Sequence, residues 1–243
     1  MVGFPIAYRT GRAVSSSLNQ VMLGARVRLK PGYHELRRLL TSALLERRLG
    51  IETARWTPLA ELGLAHPERV SYEPSAWSTL RRILPPASVT HDDVFLDFGS
   101  GMGRVVFQAA RYPFRRVIGV ELAEQLHEVA RANIEGNRDR LLCSEVELVC
   151  ADALEYQVPD DVTVAYFYNP FRGATFAGVM DNLLASVDRQ PRSLRVIYRT
   201  PEEHAYLLAT GRFRVLRALK GRRPGREWSR TSSTILYEVL PRS

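Results

Sequence analysis

A chain of 243 residues with 45% hydrophobic and 25% charged residues is long enough to bury a complete α/β core. No apolar run approaches the roughly 20 residues of a membrane-spanning helix, and no apolar core of a secretory signal follows the first residues, so a cytoplasmic protein with no membrane partner is expected. The formal net charge of +8 is unevenly placed: residues 1–34 carry +5, residues 212–230 carry +7, and the rest carries −4. Thirty-two of the 34 basic residues are arginine. A GC-rich gene raises arginine throughout but does not cluster it, so the two segments point to an acidic partner: nucleic acid, an acidic protein face or an anionic small molecule. Solvated surface loops are the alternative.

In chain order, residues 1–17 are rich in Gly, Ser and Arg and lack periodicity, which reads as a mobile basic arm or, by composition, an organellar transit peptide. Residues 18–71 read as a helical extension. Leu18, Val21, Met22 and Ala25 share one helical face and Leu36, Leu39, Leu40, Ala43 and Leu44 another, with Pro31-Gly32 between them and a looser stretch from Pro58 to Pro67. Tyr72-Glu73-Pro74-Ser75 then leads into a helix through Ala76–Leu84, with Ser75 as its N-cap. The apolar run Val94-Phe95-Leu96 predicts a buried strand ending at Asp97. Gly99, Gly101 and Gly103 follow at alternating positions, so a ligand can approach bare backbone there. Arg104 to Ala110 predicts a helix on the sheet, and Val117–Val120 a second strand, closed by Glu121, whose carboxylate can accept both hydroxyls of a ribose. Cys143 and Cys150 have no metal-ligand spacing, so reduced thiols and no metal site are expected.

The glycine spacing is not the G-x-G-x-x-G of dinucleotide folds. It is Asp-x-Gly-x-Gly-x-Gly, and a carboxylate two residues before the first glycine repels a pyrophosphate but suits an ammonium or sulfonium. From Asp97 through Gly103, with Glu121, the sequence resembles the class I S-adenosylmethionine-dependent methyltransferases, and it does so over residues 72–243. The resemblance implies S-adenosylmethionine as cofactor. It implies that Asp97, Gly99, Ser100, Gly101, Gly103, Glu121 and Leu122 hold it, that Asp152 and Ala153 after the strand Val146–Ala151 meet its adenine, and that Tyr72 and Glu73 cover its methionine end. A further strand, Val162–Tyr168, runs into Asn169-Pro170-Phe171-Arg172. Members that methylate nitrogen carry Asn/Asp-Pro-Pro-Tyr/Phe here, where an amide oxygen and a backbone carbonyl accept the target N–H groups. The second proline is missing in this chain and an arginine follows the aromatic. Asn169, also a cofactor contact, and Tyr168 are the catalytic candidates; a plain turn is the other reading of Asn169-Pro170.

Arg172–Val187 predicts a helix, Leu194–Tyr198 a strand, and Pro201-Glu202-Glu203 the start of a short helix. Phe213–Leu219 and Thr234–Leu240 predict a closing antiparallel pair joined by the long basic connection Lys220–Ser232. The sum is a doubly wound, seven-stranded, mostly parallel α/β sheet with helices on both faces, an antiparallel last strand and an N-terminal helical extension. The expected activity is in-line methyl transfer to a nitrogen of a protein side chain or small molecule. O-methylation of a metabolite, RNA methylation, a non-catalytic cofactor-binding subunit and a nicotinamide oxidoreductase are the alternatives. Residues 94–110 are similar to the cofactor loop of histone-lysine methylases that lack a SET domain, and to that of small bacterial methylases; shared loops are poor guides to the acceptor.

Overall fold

Strand β1 (Val94–Phe98) is buried along its whole length, as suits the central strand of a parallel sheet covered on both faces. In this computed structural model, which describes residue 40, residues 45–220 and residues 233–242, six more strands extend the sheet. They are β2 (Arg116–Glu121), β3 (Glu145–Cys150), β4 (Val164–Phe167), β5 (Arg195–Arg199), β6 (Phe213–Leu219) and β7 (Thr234–Val239). Their order is β3-β2-β1-β4-β5-β7-β6. β1 to β5 run parallel, and β7 is antiparallel to both of its neighbours. The register of β1 sets Asp97 beside Gly119 of β2 and Tyr166 of β4.

The period-2 alternation of β1 divides the core. Phe95 points to the face covered by Leu80 and Ile83 of α2 (Thr79–Ile83), Val105–Phe107 of α3 (Arg104–Ala109) and Ile134 of α4 (Glu124–Glu135). Leu96 and Phe98 point to the opposite face, where Phe176, Val179, Met180 and Leu183 of α5 (Gly173–Arg189) and Leu207 of α6 (His204–Ala209) pack. Each such side chain contributes roughly 1.5–3 kcal/mol on burial. The doubly wound architecture with its antiparallel closing pair is therefore as the sequence predicts. Among the described residues no helix is long and apolar enough to cross a membrane.

Differences lie before β1. The helix expected over Ala76–Leu84 is reduced to α2, and Ser75 does not cap it. The Ser75 hydroxyl instead shares a 2.8 Å hydrogen bond with the Tyr166 hydroxyl, and its carbonyl accepts from Arg104, which holds residues 72–75 extended. Ser78 sits at the cap position without a side-chain bond. Between residues 45 and 71 the chain is mostly irregular, with one helical turn, α1 (Arg47–Leu49), and a 3-10 turn at Leu59–Leu62. The arm 1–17, the helices expected between 18 and 44 (Leu40 alone excepted) and residues 221–232 of the basic connection lie outside the described residues.

This irregular segment is tied down by a buried ion pair. Arg104, first residue of α3 and 2% exposed, donates through Nε to Thr53 Oγ1 (2.6 Å), through one terminal nitrogen to the Ser75 carbonyl (2.9 Å) and through the other to Glu46 (2.7 Å). The Glu46 carboxylate, 3% exposed, also accepts from the Thr53 hydroxyl and from the amides of Thr53 and Ala54. Deleting one partner strands a buried charge. Glu46→Ala is expected to cost about 3–5 kcal/mol in urea unfolding, and Glu46→Leu/Arg104→Met is expected to lose less than the two single changes summed. Additive losses would show that the pair is not coupled.

Candidate cofactor and acceptor site

The loop after β1 turns across the end of β2: the amides of Gly99 and Ser100 both donate to the Val120 carbonyl, at 2.9 and 3.0 Å. Gly101, at φ +55°, takes a left-handed conformation, and a Cβ there would lie 2.1 Å from the Tyr72 ring. Only glycine lets that ring lie on the loop. Gly103 permits a close approach of Ala130 on α4, whose Cβ would lie 2.9 Å from a Cβ placed there.

A cleft, partly open to solvent, runs along the carboxyl ends of the parallel strands, where ligands of open α/β sheets bind. It is lined by Tyr72, Asp97, Gly99, Ser100, Glu121, Leu122, Asp152, Ala153, Tyr168 and Asn169 of the predicted set, and by Glu73. Gly101 and Gly103 do not line it; they shape the loop from behind.

Two buried carboxylates dominate its electrostatics. Glu121 accepts from the Gly101 amide (2.7 Å) and the Ala123 amide (2.9 Å), which fix its orientation; burial nonetheless pushes its pKa up. Asp97, 3% exposed, is pushed well above the usual carboxylate range by burial and by the charge of Glu121. A cation between them would relieve both. Asp152 sits at the other end, with Oδ2 paired to Arg69 at 3.2 Å and Oδ1 accepting from the Leu154 amide at 2.9 Å.

Arg69 belongs to a strap that the sequence did not reveal. Thr57 and Tyr72 exchange backbone hydrogen bonds of 3.1 and 3.0 Å, Val70 donates to the Pro170 carbonyl (3.0 Å), and Arg172 donates to the Glu68 carbonyl (2.8 Å). The Glu68 carboxylate caps α5, accepting from the amides of Ala174 and Thr175 and from the Thr175 hydroxyl. That hydroxyl and those amides hold the Glu68 carboxyl below its ordinary range. The strap therefore lies across the loop that follows β4.

In that loop Asn169 adopts φ +43°, which Asn tolerates better than most side chains. Its amide oxygen accepts from the Tyr198 hydroxyl at 3.1 Å, and the Tyr198 oxygen in turn accepts from the Glu203 amide at 3.4 Å. Both acceptors that the Asn-Pro pair was expected to offer a target amine, the Asn169 oxygen and the Pro170 carbonyl, thus already receive a donor of the chain's own.

Residues 70–147 match the family described as histone methylation protein DOT1, a span from the strap through β3 that stops short of Asp152 and Asn169. A protein-lysine N-methyltransferase of Saccharolobus islandicus (strain REY15A) is 29% identical over 105 residues, which are 43% of this chain and 63% of that protein. The chain thus covers less than two thirds of that relative. Among solved structures, precorrin 8w decarboxylase of Methanobacterium thermoautotrophicum is 22% identical, with 70% of this chain and 93% of that one covered, at a TM-score of 0.52. The tRNA (uracil-54, C5)-methyltransferase of Pyrococcus abyssi, solved with S-adenosyl-L-homocysteine, is 19% identical, with 73% of this chain and 41% of that one covered, at a TM-score of 0.50.

A raised folded-state pKa means that the stability Asp97 contributes is present below the unfolded value near 3.9 and is lost as pH rises through the folded value. Without added ligand, Asp97→Asn is therefore expected to melt higher than the parent at pH 7.5. The advantage should vanish near pH 3; a lower melting point at pH 7.5 would contradict the buried-charge account.

Proposed function

We propose that this chain, which has the fold of the class I S-adenosylmethionine-dependent methyltransferases, binds S-adenosylmethionine and transfers its methyl group to a nitrogen acceptor. The observation that carries this reading is the meeting of buried Asp97, buried Glu121 and the glycine loop in one cleft. Two carboxylates strained by burial suit a ligand with two positive charges and a ribose, and repel a pyrophosphate. Glu121 is placed to accept the ribose hydroxyls, Asp97 to offset the ammonium and sulfonium, Asp152 and Ala153 to meet the adenine, and Tyr72 with Glu73 to cover the methionine end. The group supplies a methyl already activated by its sulfonium. What is left to the protein is to align the acceptor with that methyl, to exclude water and to take up a proton.

The protein-lysine methyltransferase relative and the family match over residues 70–147 support a protein amine as acceptor. The engaged oxygens of Asn169 and Pro170 favour a second reading, an oxygen acceptor, because the Asn169 amide nitrogen is then the group left to donate. An acidic partner belongs to the same proposal, on the strength of the basic segments.

Calorimetric titration of the purified chain with S-adenosylhomocysteine, with NADH as control, tests the cofactor. Binding of the first alone is expected, and Glu121→Ala should weaken it ten- to a hundredfold, equivalent to losing charge-assisted hydrogen bonds worth about 1.5–3 kcal/mol. An unchanged affinity in that variant would remove the ribose assignment; binding of NADH alone would overturn the cofactor.

A further inference from the structure

If an amine is the acceptor, its proton needs a destination, and the Asn169 and Pro170 oxygens are already engaged. Tyr168 stands beside Asn169 on the same wall of the cleft. A phenol oxygen accepts hydrogen bonds, and once ionised it is a base.

The sheet register gives this phenol a partner. Phe167 pairs with Tyr198 at the end of the β4·β5 ladder, so Tyr168, the first residue beyond β4, and Arg199, the last residue of β5, follow side by side. The Arg199 guanidinium carbon lies 4.6 Å from the centre of the Tyr168 ring. Thr79 of α2 accepts from the same guanidinium at 3.1 Å and fixes its position. A positive charge held against a phenol favours the phenolate.

We propose that Tyr168 takes the proton from the amine acceptor and that Arg199 is the positioning residue that readies it. The inference rests on the methyl-transfer reading. The ammonium gives a proton to the Tyr168 oxygen, which becomes a neutral phenol, and the amine keeps the electron pair of that N–H bond. This pair forms the N–CH₃ bond as the S–CH₃ bond breaks, the electrons of the latter staying on sulfur. The positive charge moves from sulfur to the methylated nitrogen.

The surrounding charges agree with this assignment. Burial pulls the Arg199 guanidinium down, but the phenols of Tyr168 and Tyr166 outweigh it and its proton is held more tightly than usual. The other titratable groups around the pair are Tyr166 on β4, Glu73 from the strap and Asp97 at the end of β1. Glu73 and Asp97 oppose a phenolate, so Arg199 must outweigh them.

The experiment is a pH titration of the full chain carrying ¹³C-labelled tyrosine, read at the ring carbon that bears the hydroxyl. One resonance is expected to ionise below the ordinary value near 10, and to be missing in Tyr168→Phe. Arg199→Met should return it to the ordinary range, while Arg199→Lys, which keeps the charge, should retain most of the shift. Arg199→Gln, which also removes the charge, takes its place if the methionine variant does not fold. A Tyr168 resonance that titrates at or above the ordinary range in the parent, or one indifferent to removal of the Arg199 charge, overturns the proposal. The titration needs neither cofactor nor acceptor, so its failure is distinguishable from failure of the methyl-transfer reading.

Discussion

The arrangement of the cleft depends on one buried guanidinium. Arg104 starts the helix behind the glycine loop, and its donors reach three separate points of the preceding segment: Glu46, Thr53 and Ser75. The ring of Trp77 lies 4.9 Å from its carbon. A buried ion pair is weak evidence of net stability, since desolvation offsets most of its attraction. Its consequence here is positional. With Ser75 and Thr53 fixed, Tyr72, whose hydroxyl donates to the Thr53 carbonyl, has one place to go, and that place is on Gly101. Asn133 of α4 repeats the link, exchanging hydrogen bonds with Glu52 and donating to the Met102 carbonyl. What the sequence presents as a loose connection is thus built into the cofactor loop.

The other half of the cleft is held by the same strap through different chemistry. Glu68 supplies α5 with the N-terminal cap that its own preceding residue, Arg172, does not provide. A carboxylate there also meets the positive end of the helix dipole. The strap and the loop after β4 are therefore one hydrogen-bonded unit, and Arg69 extends it to Asp152 at the other end of the cleft. Against this rigid frame sit two carboxylates whose burial disfavours their charge. Strain of this kind is concentrated where a ligand of opposite charge would release it.

The sheet was readable because its strands are apolar runs with period-2 faces and its order follows from the glycine turn and the switch from parallel to antiparallel strands. Asp97, Glu121, Asp152 and Asn169 were readable because each ends a strand and all such ends share one edge. The strap was not. Glu46, Thr53, Glu68 and Arg69 show no periodicity and act across 51 to 107 positions of sequence, or through partners such as Arg104 whose burial is a property of the fold. One signal was present: an arginine opening a helix that must pack on the sheet needs a buried acid, and none is nearby in sequence. The misassigned Ser75 cap has the same origin, since a serine hydroxyl takes whichever partner the tertiary fold brings, here Tyr166.

Charge shows a similar transfer from sequence to structure. Of the arginines in the basic segment 212–230, Arg212 is paired with Asp188 and Arg214 with Glu238. Part of the surplus is thus neutralised within the chain, and β6 offers a partner less positive charge than its sequence implies. Exposed pairs of this kind contribute little stability, yet they remove the charge from any long-range field. The charge that can steer an acidic partner is then concentrated beyond β6. Leu219 and Thr234 are paired at the end of β6·β7, and Thr234 is also beside Arg199. The basic connection therefore leaves and rejoins the sheet at the edge where the cleft opens, next to the residue that sits against Tyr168.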